Sequence, residues 1–330
     1  MGYTGKRVLV TGAGGFVGSH LVEALVEAGA RVTAFVHYNA RNDYGNLAHV
    51  SESARGEVEI IFGDVRDPFM VQRVTRSQEV VFHLAALIGI PYSYHAPHSY
   101  VETNIHGTLN IAQAALDNGV GRIVQTSTSE VYGTAQYVPI DEKHPLHPQS
   151  PYAASKVGAD SLAQSYFLSF GLPVAVIRPF NTFGPRQSAR AVIPTILAQL
   201  ASGQKTLRLG SLTPVRDFTF VKDLARAFLR VGECDGAVGT VTNIGTGKGV
   251  TIQEVVDCCA KITGQQPRIE VEDTRIRPEN SEVERLICDS SRAASLLDWQ
   301  PQHSLEVGLT ATLEFIRANA KSYQPQRYAI

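Results

Sequence analysis

Residues 7–18, Arg7-Val8-Leu9-Val10-Thr11-Gly12-Ala13-Gly14-Gly15-Phe16-Val17-Gly18, run from a β-branched stretch through a glycine cluster into an apolar periodic segment. The first five predict a buried strand. Phe16, Val17, Leu21, Val22, Leu25 and Val26 then recur at helical spacing until Gly29 supplies a stop. Between strand and helix the glycines have separate duties: Gly12 permits a tight turn, Gly15 lets backbone amides approach a pyrophosphate, and Gly18 allows the helix to pack closely on the strand. Amides at a helix N-terminus carry partial positive charge, which suits a diphosphate. Strand, turn and helix together predict a dinucleotide site, with Phe16 and Val17 of the first turn among its contacts.

Outward from this unit the alternation continues. Arg31–Val36, Glu57–Phe62, Val80–Ala85, Arg122–Thr126 and Val174–Pro179 read as strands, and Thr103–Gly119 and Pro151–Phe170 as helices. That pattern predicts an α/β fold, a Rossmann-type doubly wound parallel sheet. After about Phe180 the alternation weakens, and Thr251–Thr263 and Ser290–Asp298 read as helices of a smaller α/β unit. The expectation is a dinucleotide-binding domain over 1–180, to which about 218–248 return, and a mainly substrate-binding domain over 181–330.

Composition narrows the function classes. The 330 residues are 44% hydrophobic and 18% charged, the profile of a globular chain. Lys+Arg (30) and Asp+Glu (31) leave a formal net charge of -1, so no bulk positive field draws the chain to nucleic acid or an anionic membrane. The total conceals a split: 1–150 hold 10 basic and 14 acidic residues, whereas Arg178 to Arg230 hold nine basic and two acidic ones, a local +7 expected to face an anion. Cys234, Cys258, Cys259 and Cys288 lack metal-ligand spacing, so no metal is expected. No run reaches the ~18 apolar residues of a bilayer span, and the start lacks a signal-peptide core, so the expected location is cytoplasmic.

Coenzyme choice rests on the end of the second strand. Val36-His37-Tyr38-Asn39-Ala40-Arg41 offers no carboxylate for ribose hydroxyls until Asp43, while His37 and Arg41 could meet a 2′-phosphate. The expectation is NAD⁺, with NADP⁺ as the alternative.

Tyr152-Ala153-Ala154-Ser155-Lys156 sets a phenol and an ammonium at i and i+4 on one helical face. A free tyrosine ionises near pH ~10 and is a poor base at neutrality. A neighbouring Lys⁺ and a cationic nicotinamide both favour phenolate, so the expected shift is downward. Tyr152 would then take the proton from a sugar hydroxyl.

With the glycine loop, this pair resembles the extended branch of the short-chain dehydrogenase/reductase superfamily. The resemblance covers nearly the whole chain, from Lys6 to Pro301. It implies that Asp64 and the backbone of Val65 face the adenine, and that Leu84, Ala85 and Ala86 flank the diphosphate and ribose. Thr128 takes the hydroxyl position that bonds the same substrate oxygen as Tyr152. Thr128-Ser129-Glu130 is similar to the Thr-Asp-Glu or Thr-Ser-Glu tripeptide of nucleotide-sugar 4,6-dehydratases, in which a carboxylate moves the C5 proton. With Ser129 in place of Asp, protonation of the C6 oxygen falls to Glu130, to a water relayed by Ser129, or to another group.

On the substrate side, Asn181 of Arg178-Pro179-Phe180-Asn181 matches an asparagine that contacts the diphosphate, and Arg216 and Arg277 match arginines against the same group. Arg190, within residues 185–194, joins these as a substrate-binding candidate. That stretch, with 126–146, looks most like dehydratases acting on nucleotide-linked N-acetylglucosamine in legionaminic-acid-type pathways. A homodimer is expected. The competing readings are a UDP-glucuronate decarboxylase, a nucleotide-sugar 4-epimerase and, in another class, a non-catalytic dinucleotide-sensing protein.

Overall fold

The structure is a computed structural model that describes residues 2–275 and 278–323. β1 (Arg7–Thr11), α1 (Phe16–Glu27), β2 (Arg31–His37), α2 (Glu52–Gly56), β3 (Val58–Gly63), α3 (Pro68–Val74) and β4 (Val80–His83) open the chain. Two short helices, α4 (Ile90–His95) and α5 (Pro97–Tyr100), lead through a π-helical turn (Val101–His106) into α6 (Gly107–Asp117) and β5 (Arg122–Thr126). A 3₁₀ turn (Ser129–Tyr132) precedes α7 (Pro151–Phe170), β6 (Val174–Pro179), β7 (Asn181–Phe183) and α8 (Val192–Ala201). Then follow β8 (Thr206–Leu209), β9 (Val215–Phe220), α9 (Val221–Glu233), β10 (Val241–Ile244), β11 (Gly249–Thr251) and α10 (Ile252–Thr263). β12 (Arg268–Val271), β13 (Arg285–Leu286), α11 (Ser291–Leu297) and α12 (Leu305–Ala318) complete the order.

Seven parallel strands form one sheet in the order β10-β6-β5-β4-β1-β2-β3. The expected doubly wound fold is therefore present. Side chains alternate across it: Val8, Val10 and Phe82 enter one core with Leu21, Leu25 and Phe228, while Leu9 and Val81 enter the opposite core with Ile111 and Ala163. Strand order reverses between β1 and β4, and the carboxyl ends of the strands there leave a crevice. A third core joins Phe183, Ile196, Leu197, Phe220, Val255 and Leu313 of α8, α10, α12 and the smaller sheets.

The expected helix over 103–119 is divided, and its first part is the π-helical turn. One residue of that turn is tied to the chain beyond β4: Asn104 is buried, its Oδ1 accepts from Leu87 N–H (2.8 Å) and its Nδ2 donates to Leu87 C=O (3.0 Å). No helix among the described residues is long and apolar enough to cross a membrane.

Candidate active site

Thr11, the last residue of β1, accepts through Oγ1 from the backbone N–H groups of Leu84 (3.2 Å) and Ala85 (3.1 Å) beyond β4. This joins the two strands at the reversal point, and the glycine turn fits over the join. Gly12 has φ +67°, and a Cβ there would stand 2.7 Å from Ala85 N. At Gly18 a Cβ would stand 2.3 Å from the Gly12 carbonyl oxygen, so the start of α1 lies directly on the turn. Gly15 caps α1 without a side-chain hydrogen bond, and the first turn holds no acidic residue. The positive end of this 12-residue helix is thus kept clear for an anion.

A cleft of about 1190 Å³ runs from this turn toward the third core. Of the residues expected to hold the coenzyme, Gly12, Gly15, Phe16, Val17, Gly18, His37, Leu84, Ala86 and Tyr152 line it. Asp64, Val65, Ala85 and Lys156 are not among its lining residues. The Asp64 carboxylate is taken by the Arg66 guanidinium (Nε to Oδ1, 3.0 Å), which also holds its pKa below the usual range. Val65 is buried, its carbonyl accepting from Asn110 Nδ2 (2.9 Å). At the end of β2, Asn39 Oδ1 accepts from the N–H groups of Arg41 and Asp43, which aims that loop at the cleft, where Arg41 and Asp43 both line the wall.

Ser150 starts α7 by accepting from Ala153 N–H (3.1 Å), and Pro151 occupies the first turn where no N–H is needed. Tyr152 and Lys156 therefore sit on one face, both buried. The protein's own groups shift the Tyr152 phenol upward. Burial pushes its pKa above the ordinary value and the Glu130 charge adds to this, against the Thr128 hydroxyl bond, which lowers it. Desolvation disfavours phenolate in a closed site, and the positive charge of a bound nicotinamide acts against that effect. The same burial pushes the Lys156 ammonium down to about 8, against the raising influence of Asp160.

Thr128, Ser129 and Glu130 follow β5 on the 3₁₀ turn, where Thr128 Oγ1 accepts from Glu130 N–H (3.3 Å). All three line the cleft beside Tyr152. Among the described residues the carboxylates lining it are Asp43, Glu130 and Glu282. Asp43 accepts from Gly45 N–H (2.7 Å) near the glycine turn, and Glu282 is paired with Arg216 (2.9 Å). Glu130 is the one set by the phenol.

Asn181, Arg190 and Arg216 line the far part of the cleft. Asn181 Oδ1 is buried without a hydrogen-bond partner, a polar atom prepared for a ligand donor. Arg277 lies outside the described residues. Of the nine cations between Arg178 and Arg230, only Arg190 and Arg216 line the cleft; Arg178, Arg186 and Arg226 are paired with Asp160, Glu23 and Asp223. The local +7 is therefore divided: three cations serve these pairs, two line the cleft, and Lys205, Arg208, Lys222 and Arg230 are exposed on the surface. Among the described residues no group of His, Cys, Asp and Glu could hold a metal ion.

Several residues were not legible as part of the site. Asn104 Nδ2 donates to Ser155 Oγ (2.8 Å), fixing the turn between Tyr152 and Lys156. His83 lies beneath Lys156 with Nδ1 2.7 Å from Thr11 Oγ1 and Nε2 3.3 Å from Thr108 Oγ1. The Thr108 hydroxyl proton is spent on Asn104 C=O (2.7 Å), so Nε2 donates and Nδ1 accepts. Arg275 lines the cleft as well.

Residues 9–312 match the family described as GDP-mannose 4,6 dehydratase. A UDP-glucose 4-epimerase of Mycolicibacterium smegmatis is 33% identical over 316 residues, covering 94% of this chain and 98% of its own. A UDP-N-acetyl-alpha-D-glucosaminuronate decarboxylase of Bacillus cytotoxicus is 31% identical over 322 residues, covering 94% and 98%. The crystal structure of the dTDP-glucose 4,6-dehydratase DesIV of Streptomyces venezuelae, which has NAD bound, matches with a TM-score of 0.85 at 31% identity, covering 97% of this chain and 100% of that one.

Proposed function

The chain belongs to the NAD-dependent epimerase/dehydratase family of the short-chain dehydrogenase/reductase superfamily, and on that footing we propose that it is a nucleotide-sugar 4,6-dehydratase. Its substrate is an NDP-hexose, NDP-N-acetylglucosamine in the first instance, and its product the 4-keto-6-deoxy sugar. The coenzyme is NAD⁺, for which the cleared end of α1 and the turn at Gly12, Gly15 and Gly18 form a fitting cradle. Bound there, it supplies a reversible hydride acceptor and a positive charge beside the phenol.

The chain's own residues then divide the proton work. Tyr152, bonded by Thr128 and backed by Lys156, takes the proton from the C4 hydroxyl as that carbon is oxidised. A C4 ketone makes the C5 hydrogen acidic. Glu130 removes it and hands it to the C6 oxygen, which leaves as water. The hydride taken from C4 is then returned to C6 and a solvent-exchangeable proton to C5, which gives the 4-keto-6-deoxy sugar. Asn181, Arg190 and Arg216 hold the nucleotide diphosphate and the sugar, and the working unit is a homodimer.

The observation that carries this reading is the place of Glu130, the cleft carboxylate beside Tyr152. A 4-epimerase needs no proton transfer at C5, so it gives such a carboxylate nothing to do. The relatives include epimerase, decarboxylase and dehydratase activities at like identity, so product chemistry is the test. Incubation with a panel of UDP-, GDP-, CDP- and dTDP-sugars, followed by mass spectrometry, separates loss of water from loss of carbon dioxide. Decarboxylation of a uronate alone, or isomerisation without mass change, would overturn the proposal.

A further inference from the structure

Behind the cleft lies a buried polar cluster that the proposed chemistry does not use. Asp160 is 1% exposed, one turn after Lys156 on the same face of α7. Its Oδ2 accepts from Ser127 Oγ (2.5 Å) and from Arg178 Nη2 (3.0 Å). Arg178, on β6, also donates through Nη1 to the Tyr132 hydroxyl (3.1 Å), and that hydroxyl donates to Asn243 Oδ1 (2.8 Å). Ser127 and Tyr132 flank Thr128, Ser129 and Glu130. One acid thus grips the loop at its start directly and at its end through Arg178. The other oxygen, Oδ1, is buried with no hydrogen-bond partner. An orphan carboxylate oxygen in a closed interior is costly unless a cation's field reaches it.

We propose that Asp160 is a positioning residue, joining the geometry of the Thr128–Glu130 loop to the charge on Lys156 one helical turn away. The inference rests on the reading of Tyr152, Lys156 and Glu130 given above. The groups around Lys156 support it. Tyr152 and Asp160 share its helix; His83 approaches from β4 and is neutral, held far below its ordinary pKa by burial and by the Lys156 charge. Tyr100 stacks edge-on to Tyr152 (6.2 Å), and Glu130 faces the phenol from the loop. Glu102 and His106, on the π-helical turn packed against α7, pair with each other at 3.2 Å and stand partly exposed. Asp160 is the acid whose charge holds the Lys156 ammonium up against burial.

The test separates the two functions of the acid. In protein labelled with ¹³C at lysine Cε, with the Lys156 signal identified by its loss in Lys156→Met, the Lys156 titration midpoint is read by NMR. Asp160→Asn should move that midpoint down by roughly one pH unit, and the pH limb of kcat with it. Ser127→Ala should leave the midpoint in place and lower kcat by about tenfold at unchanged KM, because the loop loses a tether but Lys156 keeps its acid. If Asp160→Asn does not fold, Asp160→Asn/Arg178→Met removes both charges of the pair, and a downward shift is still expected, smaller because the opposing field of Arg178 is lost with that of Asp160. A Lys156 midpoint unmoved by loss of Asp160, or Ser127→Ala with wild-type kcat, overturns the inference. A wild-type protein inactive on every nucleotide sugar would overturn the functional reading instead, and the NMR titration would still decide the role of Asp160.

Discussion

Replacing Gly18 by alanine tests the coenzyme cradle through one atom. The new Cβ would stand 2.3 Å from the Gly12 carbonyl oxygen and 2.9 Å from Ala13 Cα, both backbone of the turn itself. No side chain can swing aside to relieve this. Reaching an ordinary contact requires α1 and the turn to separate by about 1 Å, at a cost of roughly 1–3 kcal/mol in stability. The same displacement pulls the turn's amides away from the diphosphate, so NAD⁺ affinity should fall between tenfold and a hundredfold, about 1.4–2.8 kcal/mol. Calorimetric titration of coenzyme-stripped protein reads the affinity, and a thermal melt reads the stability. Gly56, where a Cβ meets nothing within 4 Å, is the control: Gly56→Ala should leave affinity unchanged and stability equal or slightly raised. If Gly18→Ala lowered the melting temperature yet bound NAD⁺ within twofold of wild type, the turn would not be what holds the coenzyme.

Other outcomes follow from the same geometry. Glu130→Gln should keep NAD⁺ affinity and lose at least about a hundredfold in product formation, read by mass spectrometry; wild-type turnover would remove Glu130 from the chemistry. Arg216→Ala should raise KM for the nucleotide sugar by roughly tenfold or more with a smaller change in kcat, because it removes a guanidinium from the cleft wall and frees Glu282 to repel a diphosphate. His83, its pKa held down to about 3 by burial, binds a proton more weakly folded than unfolded. Its neutral form is therefore favourable above pH ~6.5, and stability is lost as pH falls below that value, by up to about 4 kcal/mol near pH ~3. Denaturant melts at stepped pH should show that loss, and His83→Gln should flatten it.

What the sequence discloses follows the range of the interactions involved. β1, β5, β6 and α7 lie where their residues predict, because β-branched runs, Ser150 as a cap and Gly171 as a left-handed stop act locally. The glycine loop is legible for the same reason: a turn, a helix start and a close contact are all encoded within residues 12–18. The π-helical turn is not, and neither is the pair of bonds by which its Asn104 holds the backbone of Leu87, 17 residues earlier. Asp64 shows the limit from another side. Its position in the series suggests a coenzyme contact, and does not disclose that Arg66, two residues on, also bonds its carboxylate. Arg178 reads as one of a cluster of cations for an anionic ligand, yet Asp160, on a different element, claims it inside the core. For Tyr152 the residue type and neighbours are visible in sequence, whereas the desolvation that decides its proton affinity depends on what closes over it.

The central claim is that the C5 proton is removed while water leaves from C6. Wild-type protein with NAD⁺ and an NDP-N-acetylglucosamine in D₂O tests it in one spectrum. A product lighter by one water and carrying deuterium is the predicted result. A sugar of unchanged mass with no deuterium, the signature of oxidation and return at C4 alone, would contradict it.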